Sequence, residues 1–212
     1  LEGARKIVDD VRAVSDRIAI LIDTKGPEVR LTGTESGEGI VVKAGDMIGI
    51  RNGEGLLCSD NTLYTNYIRF VEDVPPGARI LIDDGAVELA VVGKDDVSLL
   101  CAVQNPGVIR GRKSVNVPSV HISLPALTQK DRTFVRWAVE NDIDFIAHSF
   151  VRTKEDLLEI KAILDSYGSH IKIISKIENK QGIDNIDEIL SHCYGVMIAR
   201  GDLGVEIPME KV

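Results

Sequence analysis

The 212 residues are 44 % hydrophobic and 27 % charged with a net charge of −8, values that exclude an intrinsically disordered chain and leave no Lys/Arg cluster for a nucleic-acid backbone. No apolar run approaches the roughly 20 residues of a membrane span and no secretory leader opens the sequence, so a cytoplasmic protein without nucleic-acid or membrane partners is expected. Cys58, Cys101 and Cys193 lie far apart and outside any CxxC spacing, so they read as reduced packing residues.

The sequence opens on Leu1, and Ile7, Val8, Val11 and Val14 already follow helical spacing, as expected of a segment of a longer protein. Residues 4–16 are predicted to form an amphipathic helix and Ile18 to Ile22 a strand, which Asp23-Thr24-Lys25-Gly26-Pro27 ends abruptly. From Pro27 to Pro125 short β-branched runs alternate with Gly, Asp and Asn: Ile40–Val42, Met47–Ile50, Ile80–Ile82 and Val97–Val103. That spacing predicts a compact all-β domain of hairpins, with Gly93-Lys94-Asp95-Asp96 as its clearest turn.

Beyond Leu127 the period changes. Thr128 with Asp131 and Thr153 with Asp156 mark two helix starts, and a third helix is expected over 183–190. Ile143–Ala147, Ile171–Ser175 and Gly195–Ala199 read as strands between and after them. A βαβαβ order with strands some two dozen residues apart favours parallel pairing under helical cover.

In parallel α/β structures chemistry collects at the carboxyl ends of strands, here Asp23-Thr24-Lys25, His148-Ser149-Phe150, Lys176-Ile177-Glu178-Asn179 and Arg200-Gly201-Asp202. The strand period of two places Lys176 and Glu178 on one face, where they read either as an ion pair or as part of a site. Asp202 adds a second carboxylate; with Glu178, water and phosphate oxygens it would suit Mg²⁺ or Mn²⁺. The four histidines have no zinc-ligand spacing, and neither a P-loop nor a Rossmann fingerprint is present. Gly201 and Gly204 would let backbone N–H groups approach an anion, and Arg30 lies within reach of a phosphate. Arg110, Arg112 and Lys113 form a small basic group that reads equally as a solvated patch or a phosphate site.

Four segments resemble the pyruvate kinase family in the right order: Leu21-Ile-Asp-Thr-Lys-Gly-Pro-Glu-Val-Arg30 (LDTKGPEIR), Arg112-Lys-Ser-Val-Asn-Val-Pro118 (KKGVNLP), Lys176-Ile-Glu-Asn179 (KIEN) and Ala199-Arg-Gly-Asp-Leu-Gly204 (ARGDLG). The sequence departs from the family pattern at Arg112, often Lys, and Ser114, often Gly. The resemblance implies an α/β fold, a partial TIM (β/α)8 barrel with an inserted all-β lid. Residues 1–26 would be the first part of the barrel, 27–125 the lid, and 126–212 the incomplete remainder. It implies phosphoryl transfer from phosphoenolpyruvate to ADP, giving pyruvate and ATP, by a homo-oligomeric parent, expected to be a tetramer.

Under that resemblance Lys176 is the catalytic cation and touches substrate together with Gly201 and Asp202. Glu178 and Asp202 match Mg²⁺ (or Mn²⁺) ligands, Asp23 and Thr24 match K⁺ ligands, and Arg30 and Lys113 match nucleotide contacts. Glu28 matches the acidic position that accompanies K⁺ dependence. Further barrel strands are expected outside these residues, so the 212-residue fragment is expected to be inactive, with apolar strand edges that favour self-association. The alternative reading is a non-catalytic binding or scaffolding fragment.

Overall fold

The computed structural model describes residues 2–212. In chain order the elements are α1 (Glu2–Val14), β1 (Leu21–Asp23), β2 (Ile40–Val42), β3 (Met47–Asn52), β4 (Thr62–Thr65), α2 (Phe70–Asp73), β5 (Arg79–Ile82), β6 (Val87–Lys94), β7 (Leu99–Val103), β8 (Gly107–Ile109) and β9 (Val115–Asn116). There follow α3 (Gln129–Glu140), β10 (Phe145–His148), α4 (Lys154–Ser166), β11 (Lys172–Ile177), α5 (Lys180–Asp184), α6 (Ile186–Leu190), β12 (Gly195–Ile198), α7 (Arg200–Glu206) and a 3-10 turn at Met209–Lys211. They fall into two units: the residues up to Pro27 with Pro125–Arg200, and Glu28–Leu124 with Gly201–Val212.

In the first unit β1, β10, β11 and β12 lie side by side in that order, all parallel, with Leu21 opposite Phe145, Ile146 opposite Ile173 and Ser175 opposite Val196. Parallel neighbours need crossovers, and α3, α4 and the α5–α6 pair supply them. The result is a curled α/β sheet of half-barrel type. Ile146, Val151, Ile173 and Ile177 from the sheet side pack with Leu127, Val135, Ala138, Leu157, Ile160 and Ile189. Burying each of the Val, Leu and Ile side chains among them is worth roughly 1.5–3 kcal/mol, which is what holds short helices on a four-stranded sheet.

Local chemistry sets the helix starts. The Thr128 side chain accepts the Asp131 amide at 3.1 Å while Asp131 accepts the Thr128 amide at 3.0 Å, a reciprocal cap for α3. At α4, Asp156 accepts the Arg152 amide at 2.8 Å and pairs with its guanidinium at 3.0 Å. The single helix expected over 183–190 is instead divided: Asn185 adopts φ −106°, ψ 16° between α5 and α6, and its side-chain amide donates to the Arg152 carbonyl at 2.9 Å. Asn179 caps α5 by accepting the Gly182 amide at 2.8 Å. A Cβ at Gly182 would lie 2.6 Å from the Val151 carbonyl oxygen, so only glycine lets α5 sit that close.

Strand β1 is three residues long rather than five, and on α1 only Val8 is buried, Ile7 and Val14 being exposed. Asp144 joins these two elements to β10: its Oδ2 accepts the Ile20 amide at 2.7 Å and the Arg12 guanidinium at 3.0 Å.

The second unit is built on a six-stranded sheet of order β4-β3-β7-β6-β5-β9, beside a β2–β8 pair. Its strands alternate as a half-buried sheet requires: Val87, Leu89 and Val91 of β6 and Leu99, Cys101 and Val103 of β7 face the core. Two features differ from a set of hairpins. β3 and β4 pair in parallel, Ile50 opposite Leu63, and α2 places Phe70 and Val71 in the core. The turn after β6 forms at Asp95 rather than Gly93, because its Oδ1 accepts the amides of Val97 and Ser98 at 2.9 and 2.8 Å. All three cysteines are free, and burial pushes the Cys101 thiol up to about 12, a packing group rather than a nucleophile.

Candidate active site at the strand ends

Parallel pairing of β1, β10 and β11 brings their carboxyl ends together, and with them residues far apart in sequence. Lys176 is the central group. Its Nζ lies 3.0 Å from Asp23 Oδ2, 3.0 Å from Glu178 Oε1 and 3.2 Å from Ser149 Oγ. The period of two along β11 does put Lys176 and Glu178 on one face, as the sequence predicts. Burial presses the Lys176 pKa down, but the hydrogen bonds and charges of Glu178 and Asp23 outweigh it, so the ammonium titrates above the ordinary lysine range.

Glu178 is buried: Oε1 faces Lys176 and Oε2 accepts the Phe150 amide at 2.7 Å. Asp23 is half exposed, with Oδ1 at 3.0 Å from Ser149 Oγ. Thr24 is buried; its Oγ1 accepts the Ser149 amide at 3.0 Å and lies 3.3 Å from His148 Nδ1, while its carbonyl accepts Ser149 Oγ at 2.7 Å. His148 is fully enclosed, and burial drives its pKa down to about 4 against the opposing charges of Asp156 and Asp131, leaving a neutral ring. Beside this cluster a cleft of 290 Å³ is lined by Asp23, Thr24, Lys25, Lys130, Asp131 and Phe134. The Lys25 amide donates to Asp131 Oδ1 at 3.0 Å, so the cap of α3 also anchors the exit of β1.

Ser149 is the residue whose part the sequence does not disclose. It stands just past β10, where strand alternation no longer says which way a side chain points; only the tertiary contacts place it against Lys176.

In the β-rich unit Arg30 and Lys113 are neighbours: the Leu31 amide donates to the Lys113 carbonyl at 2.9 Å, and Arg30 bridges Ser114. Arg30 binds Glu28 through Nε at 2.7 Å and the Arg112 carbonyl through Nη1 at 2.7 Å. Lys113 pairs with Asp83 at 2.9 Å. A hollow of 540 Å³ is lined by Thr34, Glu38, Leu57, Arg110, Arg112 and Lys113, among others. Gly201 and Asp202, both exposed, occupy the first turn of α7.

The donor sets suit hard cations. Glu178 offers a buried carboxylate, and Asp23 and Thr24 offer carboxylate, hydroxyl and carbonyl oxygens. No group of three or more His, Cys, Asp or Glu gathers for a metal among the described residues. Among the described residues no helix is long and apolar enough to cross a membrane.

A parallel half-barrel with a cation clamped between carboxylates at its strand ends defines a barrel of the (β/α) enzyme type. The pyruvate kinase barrel-domain family model matches residues 2–212. The chain is 47 % identical over its whole length to a pyruvate kinase of Borreliella burgdorferi and 46 % identical to one of Geobacillus stearothermophilus, spanning 44 % and 37 % of those proteins. A crystal structure of a pyruvate kinase from Cryptosporidium parvum superposes with a TM-score of 0.88 at 38 % identity, covering 95 % of this chain and 42 % of that one. The chain belongs to the pyruvate kinase family, and it spans under half the length of the relatives it matches.

Proposed function

We propose that these residues serve the transfer of a phosphoryl group from phosphoenolpyruvate to ADP, giving pyruvate and ATP in cytoplasmic glycolysis. The observation that carries this reading is the Lys176 ammonium, held by Asp23, Glu178 and Ser149 at the strand ends, a fixed cation where negative charge would develop. In this reading Lys176 stabilises the transferring phosphoryl and the enolate oxygen. Glu178 and Asp202 would hold Mg²⁺ or Mn²⁺, and the backbone N–H groups of Gly201 and Asp202 would bind the substrate carboxylate. Asp23 and Thr24 would hold K⁺, with Glu28 accompanying K⁺ dependence. Arg30 and Lys113 would meet nucleotide phosphates. When bound, the divalent ion supplies neutralisation of charge on carboxylate and phosphoryl oxygens.

The residues 27–125, inserted between two barrel strands, would act as a lid that excludes water, and residues 1–26 with 126–212 as barrel. By itself the 212-residue chain would not turn over, since four parallel strands form half of an eight-stranded barrel; the full-length protein would be a homo-oligomer, a tetramer in our reading. The test is Lys176→Met in a protein of the relatives' full length carrying this sequence. A fall in kcat of about a hundredfold or more with metal affinity retained is expected; near-normal kcat would overturn the reading.

A further inference from the structure

We propose that Ser149 and the left-handed backbone of Phe150 form a positioning element that fixes Lys176 and Glu178 in their working geometry. Phe150 has φ 56°, and it is the one aromatic residue with positive φ among the described residues. A bulky residue in this region is an outlier that persists only where its surroundings over-determine it.

Two contacts on consecutive residues supply that determination. The Phe150 amide donates to Glu178 Oε2 at 2.7 Å, which turns Oε1 of the same carboxylate toward Lys176. One residue earlier, the Ser149 amide is held by Thr24 Oγ1 at 3.0 Å. The single hydroxyl hydrogen of Ser149 serves the Thr24 carbonyl at 2.7 Å and Asp23 Oδ1 at 3.0 Å, which leaves an oxygen lone pair for Lys176 Nζ at 3.2 Å. The ammonium therefore meets one neutral acceptor between two carboxylates. Without the hydroxyl, two charges alone would determine its position, and one of them, Asp23, is half exposed.

The Phe150 ring is seated in turn against Gly26, itself at φ +69°, where a Cβ would fall 2.9 Å from Phe150 Cδ2 and 3.1 Å from Ser149 Cβ. The absence of a side chain at Gly26 is what admits the ring. Neither Ser149 nor Phe150 needs to touch substrate for this; each acts through Lys176 or Glu178.

The inference rests on the reading of Lys176 as the phosphoryl-facing group, so its test reads geometry rather than turnover and fails separately from that reading. The measurement is solvent exchange of the lysine ammonium protons by ¹⁵N NMR on this chain at low temperature, with the Lys113 ammonium, paired to Asp83, as reference. In the native chain Lys176 is expected to exchange slowly. Ser149→Ala should speed its exchange by about fivefold, the factor one net hydrogen bond corresponds to, leave Lys113 unchanged, and be reversed by Ser149→Thr. Phe150→Gly, which adopts positive φ freely, should keep exchange slow, whereas Phe150→Val should speed it. If the amide fingerprint of Ser149→Ala shows loss of the fold, Ser149→Cys, similar in size but a weak acceptor, is read in its place. Exchange of Lys176 that is already fast in the native chain, that is unchanged in Ser149→Ala or Ser149→Cys, or that is alike in Phe150→Gly and Phe150→Val overturns the proposal.

Discussion

His148 Nδ1 lies 3.3 Å from Thr24 Oγ1, and both side chains are shut away from solvent behind the strand ends. An imidazole in that place is held neutral by burial, and its folded-state pKa of about 4 stands well below the ordinary value of 6.5.

Between those two values the unfolded chain binds a proton that the folded chain does not. The contribution of His148 to stability is therefore complete above pH 6.5, is lost as pH falls, and is gone below about 4. The loss expected is of order 3 kcal/mol. Urea unfolding followed from pH 7.5 to 4.5 should show it, and His148→Gln should flatten that part of the profile. An equal slope in the variant would place the acid sensitivity elsewhere.

Glu178 tests the metal reading directly. Mn²⁺ titrated into this chain with phosphoenolpyruvate present, and followed by water-proton relaxation, is expected to bind. Glu178→Gln keeps an acceptor for the Phe150 amide but removes the charge, and should weaken Mn²⁺ at least about tenfold. Unchanged affinity in the variant would remove Glu178 from the metal site.

Gly26→Ala should destabilise the half-barrel unit by about 1–3 kcal/mol, combining positive φ with the close approach of Ser149 and Phe150. Gly168 in the same unit has φ +59° and open space around it, so Gly168→Ala measures the backbone effect alone at about 1 kcal/mol. The difference between the two unfolding free energies is then the steric contribution. Equal losses would show that the ring accommodates the methyl group.

β12 carries exposed Val196, Met197 and Ile198 on the outermost strand of its sheet. Unpaired strand groups beside apolar side chains invite pairing with another copy, so light scattering should show mass rising with concentration. Ile198→Lys should suppress the rise. A constant monomer mass at high concentration in the native chain would refute it.

Much of the half-barrel was legible because its cues are local. Thr128 with Asp131 announces α3 in four residues, and the alternation Lys176-Ile177-Glu178 is enough to place two charges on one face. The cue fails where a tertiary contact decides. Asn185 interrupts the helix expected over 183–190 in order to reach the Arg152 carbonyl, and the parallel β3–β4 pair has no counterpart in turn chemistry. The site divides in the same way. Lys176 and Glu178 are legible from spacing and Asp23 from its strand exit, but the hold of Ser149 on the ammonium depends on a left-handed residue that a Phe codon does not advertise.

The pairing of β1 with β10 has a consequence for synthesis on the ribosome. Leu21 must wait for Phe145, and the Ile20–Asp144 bond joins residues 124 positions apart. The nine elements from β2 to β9, eight strands and α2, emerge in that interval as a contiguous run, able to bury their own core before β10 exists. Once they have done so, the gap that β1 must close is no longer a free coil of that length but a folded body with its two ends already fixed, so the entropic penalty of joining the first strand to its partner is largely met before the partner is made.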